Sequence, residues 1–365
     1  MKKDKLRVGI IGCGGIANQK HLPALKSLGD LCDLVAFCDI VEDRALKAAD
    51  EFGASGAKTC NDYRRLLEEK DIDVVHVLTP NVSHSRITVD ALEAGKHVMC
   101  EKPMSHSYDE AKRMLDAAKK TGKKLTIGYQ NRFRDEVQVL RKAVDAGYMG
   151  DVYFAKAHAI RRRAVPTWGV FPNKALQGGG PLIDIGTHAL DITLWMMGNY
   201  EPKSVTGSVY WKMADQVEGN VFGPWDPKTF EVEDSAFGFI KMKNGATVVL
   251  EASWALNMTD EKEAATTLCG TKGGAEIRGG SGKPYQLILN TAKYGKLINE
   301  EIAGAGGVAY FGGRSIGPGE VEARQWLESI NGNGEPLVKP EQALVVTRVL
   351  EAIYKSHETG KTIDF

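Results

Sequence analysis

Residues 6–17, LRVGIIGCGGIA, are the part of the sequence that decides the fold. The apolar residues Val8, Ile10 and Ile11 predict a short buried strand, and residues 12–17 follow it with the spacing G-x-G-x-x-A. Between a strand and a helix, glycines at this spacing let the backbone approach a pyrophosphate closely. A glycine-rich turn without a ligand has the same pattern, so the rest of the chain has to decide between the two interpretations.

Short apolar runs alternate with amphipathic segments from residue 6 to about residue 130. This alternation is typical of a parallel sheet covered by helices. The predicted strands are residues 8–11, 34–38, 74–78, 97–100 and 125–129, and the predicted helices are residues 18–28, 42–52, 63–69, 83–94 and 107–121. We therefore expect an α/β Rossmann domain over residues 1–130.

Asp39 directly follows the second predicted strand and lies twenty-two residues after Ala17. In a Rossmann sheet an acidic residue here accepts hydrogen bonds from the adenosine ribose, and its charge repels a 2′-phosphate. The cofactor is therefore predicted to be NAD. Arg44 keeps NADP open as the alternative, although an arginine at the start of a helix is also an ordinary solvated residue.

After residue 130 the pattern changes to strands joined by short turns, of which Lys243-Asn244-Gly245 is a hairpin signal. The predicted strands are residues 152–160, 204–212, 234–243, 247–256, 266–278 and 285–289. We expect residues 131–338 to form an α+β domain with a mainly antiparallel sheet. Residues 339–365 are expected to be a C-terminal helix and tail, and the glycine-rich loop 304–319 is either a lid or a poorly ordered connection.

The charge balance excludes several classes of partner. The 365 residues include 47 basic and 47 acidic ones, so the formal net charge is zero and gives no electrostatic basis for binding nucleic acid or an anionic membrane. No segment has the apolar length of a signal peptide or a membrane span. The six cysteines are scattered without a C-x-x-C pair, which predicts reduced thiols, no metal site and a cytoplasmic location.

Two polar segments directly follow predicted strands, at the carboxyl edge where ligands of such sheets bind. In residues 79–84 (TPNVSH), Asn81 and His84 can face a nicotinamide, although Asn81 can also simply cap a helix. In residues 101–103 (EKP), Lys102 can bind a substrate hydroxyl and stabilise the developing oxyanion. The alternative for this segment is a surface ion pair between Glu101 and Lys102.

A third polar segment, residues 178–188 (GGGPLIDIGTH), combines an apolar helical face with Asp184 and His188. Residues four apart on a helix project together, so this pair fits a base oriented by a carboxylate, or two ligands of a metal. No further cluster supplies the remaining metal ligands. The structural alternative is a capping aspartate and a core histidine.

The order and spacing of these motifs resemble the glucose-fructose oxidoreductase, inositol dehydrogenase and rhizopine catabolism (Gfo/Idh/MocA) family over nearly the whole chain. The resemblance implies that Lys102 contacts the reacting oxygen, that Asp184 orients substrate and histidine, and that His188 exchanges the hydroxyl proton while hydride passes between the substrate carbon and the nicotinamide. It also implies that the sheet of residues 131–338 is open, that this domain binds substrate, and that it forms the contacts of a homo-oligomer, a dimer or a multiple of dimers. The cofactor-binding residues implied are Gly12, Gly14, Gly15, Ile16, Asp39, Thr79, Asn81, His84, Glu101, Lys102 and Asn131.

Substrates implied by the resemblance are sugars, glycosides and cyclitols oxidised at a secondary hydroxyl. Around Arg162, Arg163 and Trp168 the sequence is similar to members that oxidise glucosides at C3, so these residues are candidates for substrate binding together with Asp184 and His188. The alternative is an exposed basic loop with a docked tryptophan. Two other functions stay open: an NAD-dependent glycosidase that uses transient oxidation, and a non-catalytic sugar- or nucleotide-binding protein.

Overall fold

The computed structural model describes residues 5–280, 282–302 and 317–365. The chain forms two compact units, which we call the first and the second unit. The first unit contains Met1–Gln130 and Ile316–Leu344, and the second contains Asn131–Ser315 and Val345–Phe365. The sequence-based ranges group residues 316–338 with the second domain, whereas here they belong to the first unit.

The first unit contains a sheet of six parallel strands, counted over the described residues, in the order β3-β2-β1-β4-β5-β6. Its strands are β1 (Leu6–Ile11), β2 (Cys32–Cys38), β3 (Lys58–Cys60), β4 (Val74–Val77), β5 (His97–Cys100) and β6 (Leu125–Ile127). The predicted Rossmann arrangement is confirmed. One strand of this sheet, β3, was not predicted, because it is short and its residues are polar and largely exposed.

Helices surround this sheet and close its core. They are α1 (Leu22–Ser27), α2 (Glu42–Phe52), α3 (Tyr63–Leu67), α4 (Asn81–Glu93), α5 (Tyr108–Thr121) and α9 (Pro318–Ile330). A π-helical turn, Ala17–His21, precedes α1, so the predicted helix 18–28 is two segments. Trp326 and Leu327 of α9 are buried in the same apolar cluster as Val8 and Phe37, which explains why this late helix belongs to the first unit.

The second unit contains a sheet of nine strands within the described ranges, in the order β14-β13-β12-β11-β7-β10-β9-β8-β15. Neighbouring strands are antiparallel except for β7 and β10, so the predicted mainly antiparallel sheet is confirmed. The strands are β7 (Val152–Ile160), β8 (Pro202–Tyr210), β9 (Ser235–Met242), β10 (Thr247–Ser253), β11 (Lys262–Gly270), β12 (Gly273–Gly280), β13 (Lys283–Lys293), β14 (Lys296–Ile302) and β15 (Ile363–Asp364).

Two strand predictions in this unit need correction. The predicted strand 266–278 is a hairpin in which β11 and β12 pair on either side of Thr271-Lys272. The strand β14 was not predicted, because its exposed charged residues resemble a loop.

The helices of this part of the chain are α6 (Asp135–Asp145), α7 (Lys174–Gln177), α8 (Thr187–Met197) and α10 (Pro340–Thr359). Most of α8 is apolar and its side chains are buried from Thr187 to Met196, as expected for a helix that packs on a sheet, here on β7 and β11. The predicted loop 304–319 lies outside the described residues except for its last three positions.

Candidate active site

The glycine loop after β1 is fixed by the fold at its first position. Gly12 has φ 95°, and a Cβ built there would lie 2.4 Å from the backbone oxygen of Leu78. A side chain at residue 12 would therefore strain the backbone and overlap with Leu78, the residue that follows β4.

Gly14 and Gly15 differ from Gly12, because neither has a positive φ and a Cβ built on either would meet no atom within 4 Å. The fold itself does not need glycine at these two positions. Open space above a strand-to-helix turn is what a closely bound pyrophosphate requires, so the residues present fit a dinucleotide.

Asp39 ties this loop to the end of β2. Its Oδ2 accepts a hydrogen bond from the backbone N–H of Cys13 (2.8 Å), and its Oδ1 accepts one from the backbone N–H of Val41 (2.9 Å). Each carboxylate oxygen has a second lone pair, so the oriented carboxylate can still accept from a ribose hydroxyl. This geometry fits the predicted role of Asp39.

We expect alanine substitutions to separate the two kinds of glycine. Gly15→Ala should leave the free energy of unfolding unchanged or raise it by up to about 1 kcal/mol, because residue 15 is helical, yet weaken NADH binding by about tenfold or more. Gly12→Ala should lower the free energy of unfolding by about 2 kcal/mol. Thermal unfolding and fluorescence titration with NADH measure both quantities, and wild-type NADH affinity in Gly15→Ala would contradict the assignment.

Glu101 is not part of a surface ion pair, and that alternative is wrong. The side chain is buried, its Oε2 accepts from the backbone N–H of Lys102 (2.9 Å), and its Oε1 lies 2.6 Å from Nζ of Lys20 and 2.8 Å from Nε2 of His21. Glu101 therefore orients the backbone at Lys102, whose own side chain is half-buried.

A buried set of polar side chains behind Glu101 was not predicted from the sequence. Nζ of Lys20 also contacts Oε1 of Gln130 (2.9 Å) and Oε2 of Glu322 (3.0 Å). The ring of His21 packs edge-on against that of His76, with centroids 5.4 Å apart. We call this set the Lys20 cluster, and its members are Lys20, His21, His76, Glu101, Gln130 and Glu322.

The charges of the Lys20 cluster are set by burial and by mutual attraction. Burial disfavours the charged form of Glu101, but Lys20 and His21 outweigh it and hold the pKa of Glu101 well below its usual range. Burial raises the pKa of Glu322 to about 7, and Lys20 only partly opposes that rise. Burial lowers the pKa of His21. The cluster therefore contains the cation Lys20, the anion Glu101 and the carboxyl group of Glu322, which titrates near neutrality.

We expect Glu322 to make stability depend on pH. Its raised pKa means that the folded state holds a proton which the unfolded state releases above about pH 4.5, so stability falls as pH rises from there to about pH 7. The Glu322→Gln variant should not lose stability over this pH range. At about pH 7 its free energy of unfolding should exceed that of wild type by up to about 3 kcal/mol. Urea unfolding at pH 4.5, 6 and 7.5 measures it. Glu328→Gln, an exposed carboxyl on the same helix, is the control, and parallel pH curves for wild type and Glu322→Gln would contradict the prediction.

His84 is predicted to face a nicotinamide, but protein atoms enclose its side chain on all sides. It is 0% exposed, and its ring nitrogens lie 2.8 Å from the carbonyl oxygens of Thr79 and Pro103. His84 therefore connects the segment that follows β4 to the segment that follows β5. Asn81 is the first residue of α4 and is not its N-cap, which is Pro80, so the capping alternative for Asn81 is wrong. Asn131 is half-buried in the short turn Gln130–Phe133.

In the second unit, Asp184 lies on a π-helical turn, Leu182–Gly186, that leads directly into α8, where His188 is the second residue. Oδ2 of Asp184 accepts a hydrogen bond from Nε1 of the buried Trp254 (3.0 Å). The N-cap residues are Pro181 for this turn and Gly186 for α8, so the alternative of a capping aspartate is wrong. The carboxylate of Asp184 is half-buried and is oriented by Trp254. His188 is largely buried.

The segment that carries Asp184 is held by residues that were not predicted. The buried carboxylate of Glu233 accepts from the backbone N–H groups of Gly180 (2.8 Å) and Leu182 (3.2 Å) and from the hydroxyl of Tyr354 (2.8 Å). A Cβ on Gly180 would lie 2.2 Å from the carbonyl oxygen of Glu233, which explains the glycine. Burial raises the pKa of Glu233.

Three of the predicted substrate-binding residues, Arg162, Arg163 and Trp168, lie on the segment that follows β7 in the second unit. Arg162 is exposed and Arg163 is half-buried, and both line a cavity of about 840 Å³. Arg161, in contrast, is paired with Glu263 through contacts of 2.8 and 2.5 Å. Trp168 is exposed and its ring contacts that of Phe222.

The described parts of the chain contain neither a metal-binding cluster nor a membrane-spanning helix. No set of three or more His, Cys, Asp or Glu side chains in residues 5–280, 282–302 and 317–365 is arranged to hold a metal ion. Over the same residues, no helix has the length and apolar character needed to cross a bilayer.

Comparison with known proteins agrees with this geometry. A family model described as "Oxidoreductase family, NAD-binding Rossmann fold" matches residues 6–129, and one described as "Oxidoreductase family, C-terminal alpha/beta domain" matches residues 141–365. The prediction of NAD as the cofactor is therefore confirmed.

Several known proteins are similar to this chain over nearly its whole length. The chain is 37% identical over 365 residues to D-glucoside 3-dehydrogenase of Escherichia coli, covering 100% of this chain and 99% of the relative. It is 27% identical to an inositol 2-dehydrogenase of Salmonella paratyphi B, covering 98% and 96%. A solved aldose-aldose oxidoreductase from Caulobacter crescentus, complexed with glycerol, matches with a TM-score of 0.81 and 26% identity, covering 99% and 100%. The prediction of a dehydrogenase is confirmed.

Proposed function

The chain belongs to the Gfo/Idh/MocA family of oxidoreductases, and from this premise we propose that it oxidises a glycoside at a secondary hydroxyl, C3 of a glucoside, with NAD. The full-length similarity to a protein named D-glucoside 3-dehydrogenase supports this substrate over a cyclitol, since the inositol 2-dehydrogenase is less similar.

The observation that carries the proposal is the orientation of Asp184. A half-buried carboxylate, fixed by the indole N–H of Trp254 and one helical turn before His188, is what a hydroxyl-oxidising site needs to orient a base.

Each catalytic residue has a proposed task. His188 accepts the proton of the substrate hydroxyl, Asp184 orients the hydroxyl and the imidazole, and Lys102 donates a hydrogen bond to the reacting oxygen and lowers its pKa. NAD supplies the hydride acceptor when it is bound. Arg162, Arg163 and Trp168 are proposed to bind the substrate with Asp184 and His188.

The cofactor-binding set is also a proposal. The geometry of Gly14, Gly15 and Asp39 supports a pyrophosphate and a ribose site. Thr79 has a buried hydroxyl with no hydrogen-bond partner among the described residues, so it can bind a ligand atom. The remaining proposed contacts are Gly12, Ile16, Asn81, Glu101, Lys102 and Asn131.

The test is an NAD-reduction screen over inositols, free hexoses and glucosides, with the oxidised carbon of each product identified by NMR. We expect glucosides to be the best substrates and the product to be the 3-keto glycoside. Release of aglycone without net NADH would instead indicate a glycosidase. Binding of sugar and NAD without turnover would indicate a non-catalytic protein.

A homo-oligomer, a dimer or a multiple of dimers, is proposed as well. The exposed Phe239 and Tyr210 lie on neighbouring strands of the nine-stranded sheet, and exposed aromatic side chains on a sheet favour a contact with another copy. Multi-angle light scattering of the purified protein tests this. The cytoplasmic location stays a prediction.

A further inference from the structure

An exposed pair of aromatic rings stands out in the second unit. Trp168 is 51% exposed and Phe222 is 44% exposed, and their rings meet edge-to-face with centroids 4.7 Å apart. Two large aromatic side chains that leave this much area in water, and leave it together, are typical of a surface that binds something. We call Trp168 and Phe222 the aromatic corner.

The aromatic corner is held in place by hydrogen bonds between its two loops. The hydroxyl of Thr167 donates to the carbonyl oxygen of Phe222 (2.7 Å). Asn220 accepts from the backbone N–H of Val165 (2.8 Å) and donates to its carbonyl oxygen (3.0 Å). Both rings therefore lie on loops that are hydrogen-bonded to each other, which lowers the entropy cost of binding a ligand there.

A short series of ring contacts connects the aromatic corner to Asp184. The ring of Phe171 lies 5.8 Å from that of Trp168 and 6.3 Å from that of Trp254, centroid to centroid. Trp254 is the donor to Asp184. One ring, Phe171, therefore separates Trp168 from the indole that orients the proposed catalytic carboxylate.

The cavity beside the corner adds polar groups without net charge. Phe222 and Val221 form part of its wall, and its volume of about 840 Å³ lies within the range of small-ligand sites. Its charged lining consists of three arginines and three glutamates, namely Arg161, Arg162, Arg163, Glu218, Glu261 and Glu263. Balanced charges favour a neutral, hydrogen-bonding ligand over a phosphate or carboxylate.

Arg163 adds hydrogen-bond donors to the lining of this cavity. Its side chain is half-buried and lines the cavity, while Arg161 is neutralised by Glu263. A guanidinium group has five N–H donors, so Arg163 can bind a ligand hydroxyl or ether oxygen.

We propose that the aromatic corner and this cavity form the subsite for the aglycone of a neutral glycoside. The apolar face of the aglycone packs on Trp168 and Phe222, and its polar groups face Arg163 and the glutamates. The enzyme then prefers glycosides with a planar aglycone over methyl glycosides and free sugars. This inference rests on the proposed function, because it takes the sugar ring to lie at Asp184.

The experiment compares phenyl and methyl glucosides of one anomer in NAD-loaded wild-type protein and in Trp168→Ala, Phe222→Ala and Trp211→Ala. Trp211 is an exposed tryptophan of the same unit that contacts His357 and serves as the matched control. Two readouts are taken, kcat/KM for NAD reduction and the dissociation constant from calorimetry, with the mass of each variant measured by light scattering.

We expect wild type to prefer the phenyl glucoside. Trp168→Ala and Phe222→Ala should each reduce the phenyl-to-methyl ratio by about 5- to 10-fold, and Trp211→Ala should not change it. A ratio unchanged in both corner variants, or a change in oligomer mass alone, would overturn the subsite while glucoside oxidation still stands. If no glucoside reduces NAD but the phenyl preference in binding falls in the corner variants, the subsite stands and the proposed oxidation fails.

Discussion

Replacement of His188 by alanine is expected to lower kcat for the best glycoside by about 10²- to 10⁴-fold, the contribution of a positioned general base. The proton of the substrate hydroxyl then has no positioned acceptor at the site. The affinity for NADH should stay at the wild-type value, because the glycine loop and Asp39 belong to the other compact unit. Stopped-flow measurement of NADH formation, with fluorescence titration of the cofactor, separates the two effects.

A loss of folding has to be distinguished from a loss of catalysis, since α8 is buried. His188→Asn keeps a polar side chain of smaller volume, and it should be as inactive as the alanine variant while unfolding near the wild-type temperature. His357→Ala, which alters an exposed histidine, should have wild-type turnover. Turnover by His188→Ala at the wild-type rate would exclude the proposed role.

Replacement of Lys20 by methionine is expected to lower the free energy of unfolding by about 3 to 5 kcal/mol. The methionine fills a similar volume but leaves Glu101 and Glu322 buried without their cation. An uncompensated buried carboxylate costs much more than the loss of an exposed ion pair, which is worth about 1 kcal/mol or less. Urea denaturation followed by circular dichroism gives the difference directly.

The control for this variant is Lys26→Met, an exposed lysine on the neighbouring α1, which should change stability by about 0.5 kcal/mol or less. The double variant Lys20→Met with Glu101→Gln should recover part of the loss, because the carboxylate that Lys20 keeps ionised is then replaced by a neutral amide. If Lys20→Met were no less stable than Lys26→Met, the Lys20 cluster would not be an electrostatic unit of the fold.

The sheet of the first unit is predictable because a parallel strand buried on both faces needs a continuous apolar run, as in β1 and β4. The strands that were missed or merged lack that signal. The polar β3 is stabilised by pairing with β2, and the hairpin of β11 and β12 turns at Thr271-Lys272, which carries no Asn-Gly signal. In these places tertiary pairing outweighs local sequence preference.

The candidate site was predictable where polar residues interrupt an apolar pattern, as Lys102 and Asp184 do. Its supporting residues were not, because their partners are distant along the chain. Lys20 and Glu101 are 81 positions apart and meet only after the sheet has formed. The two glycines Gly12 and Gly14 are equivalent in sequence, yet only the structure separates a glycine required by the backbone from one that leaves room for a ligand.

The hydrogen bonds of Glu233 have a consequence for attempts to transplant the Asp184–His188 segment into another scaffold. The segment is only about a dozen residues long, but Glu233 and Tyr354, which are 121 positions apart, hold its start. A chimaera that receives residues 178–188 alone would carry the proposed catalytic side chains without the residues that hold the start of their segment. A graft that keeps this geometry must therefore include three separate segments of chain, which contain residues 178–188, Glu233 and Tyr354.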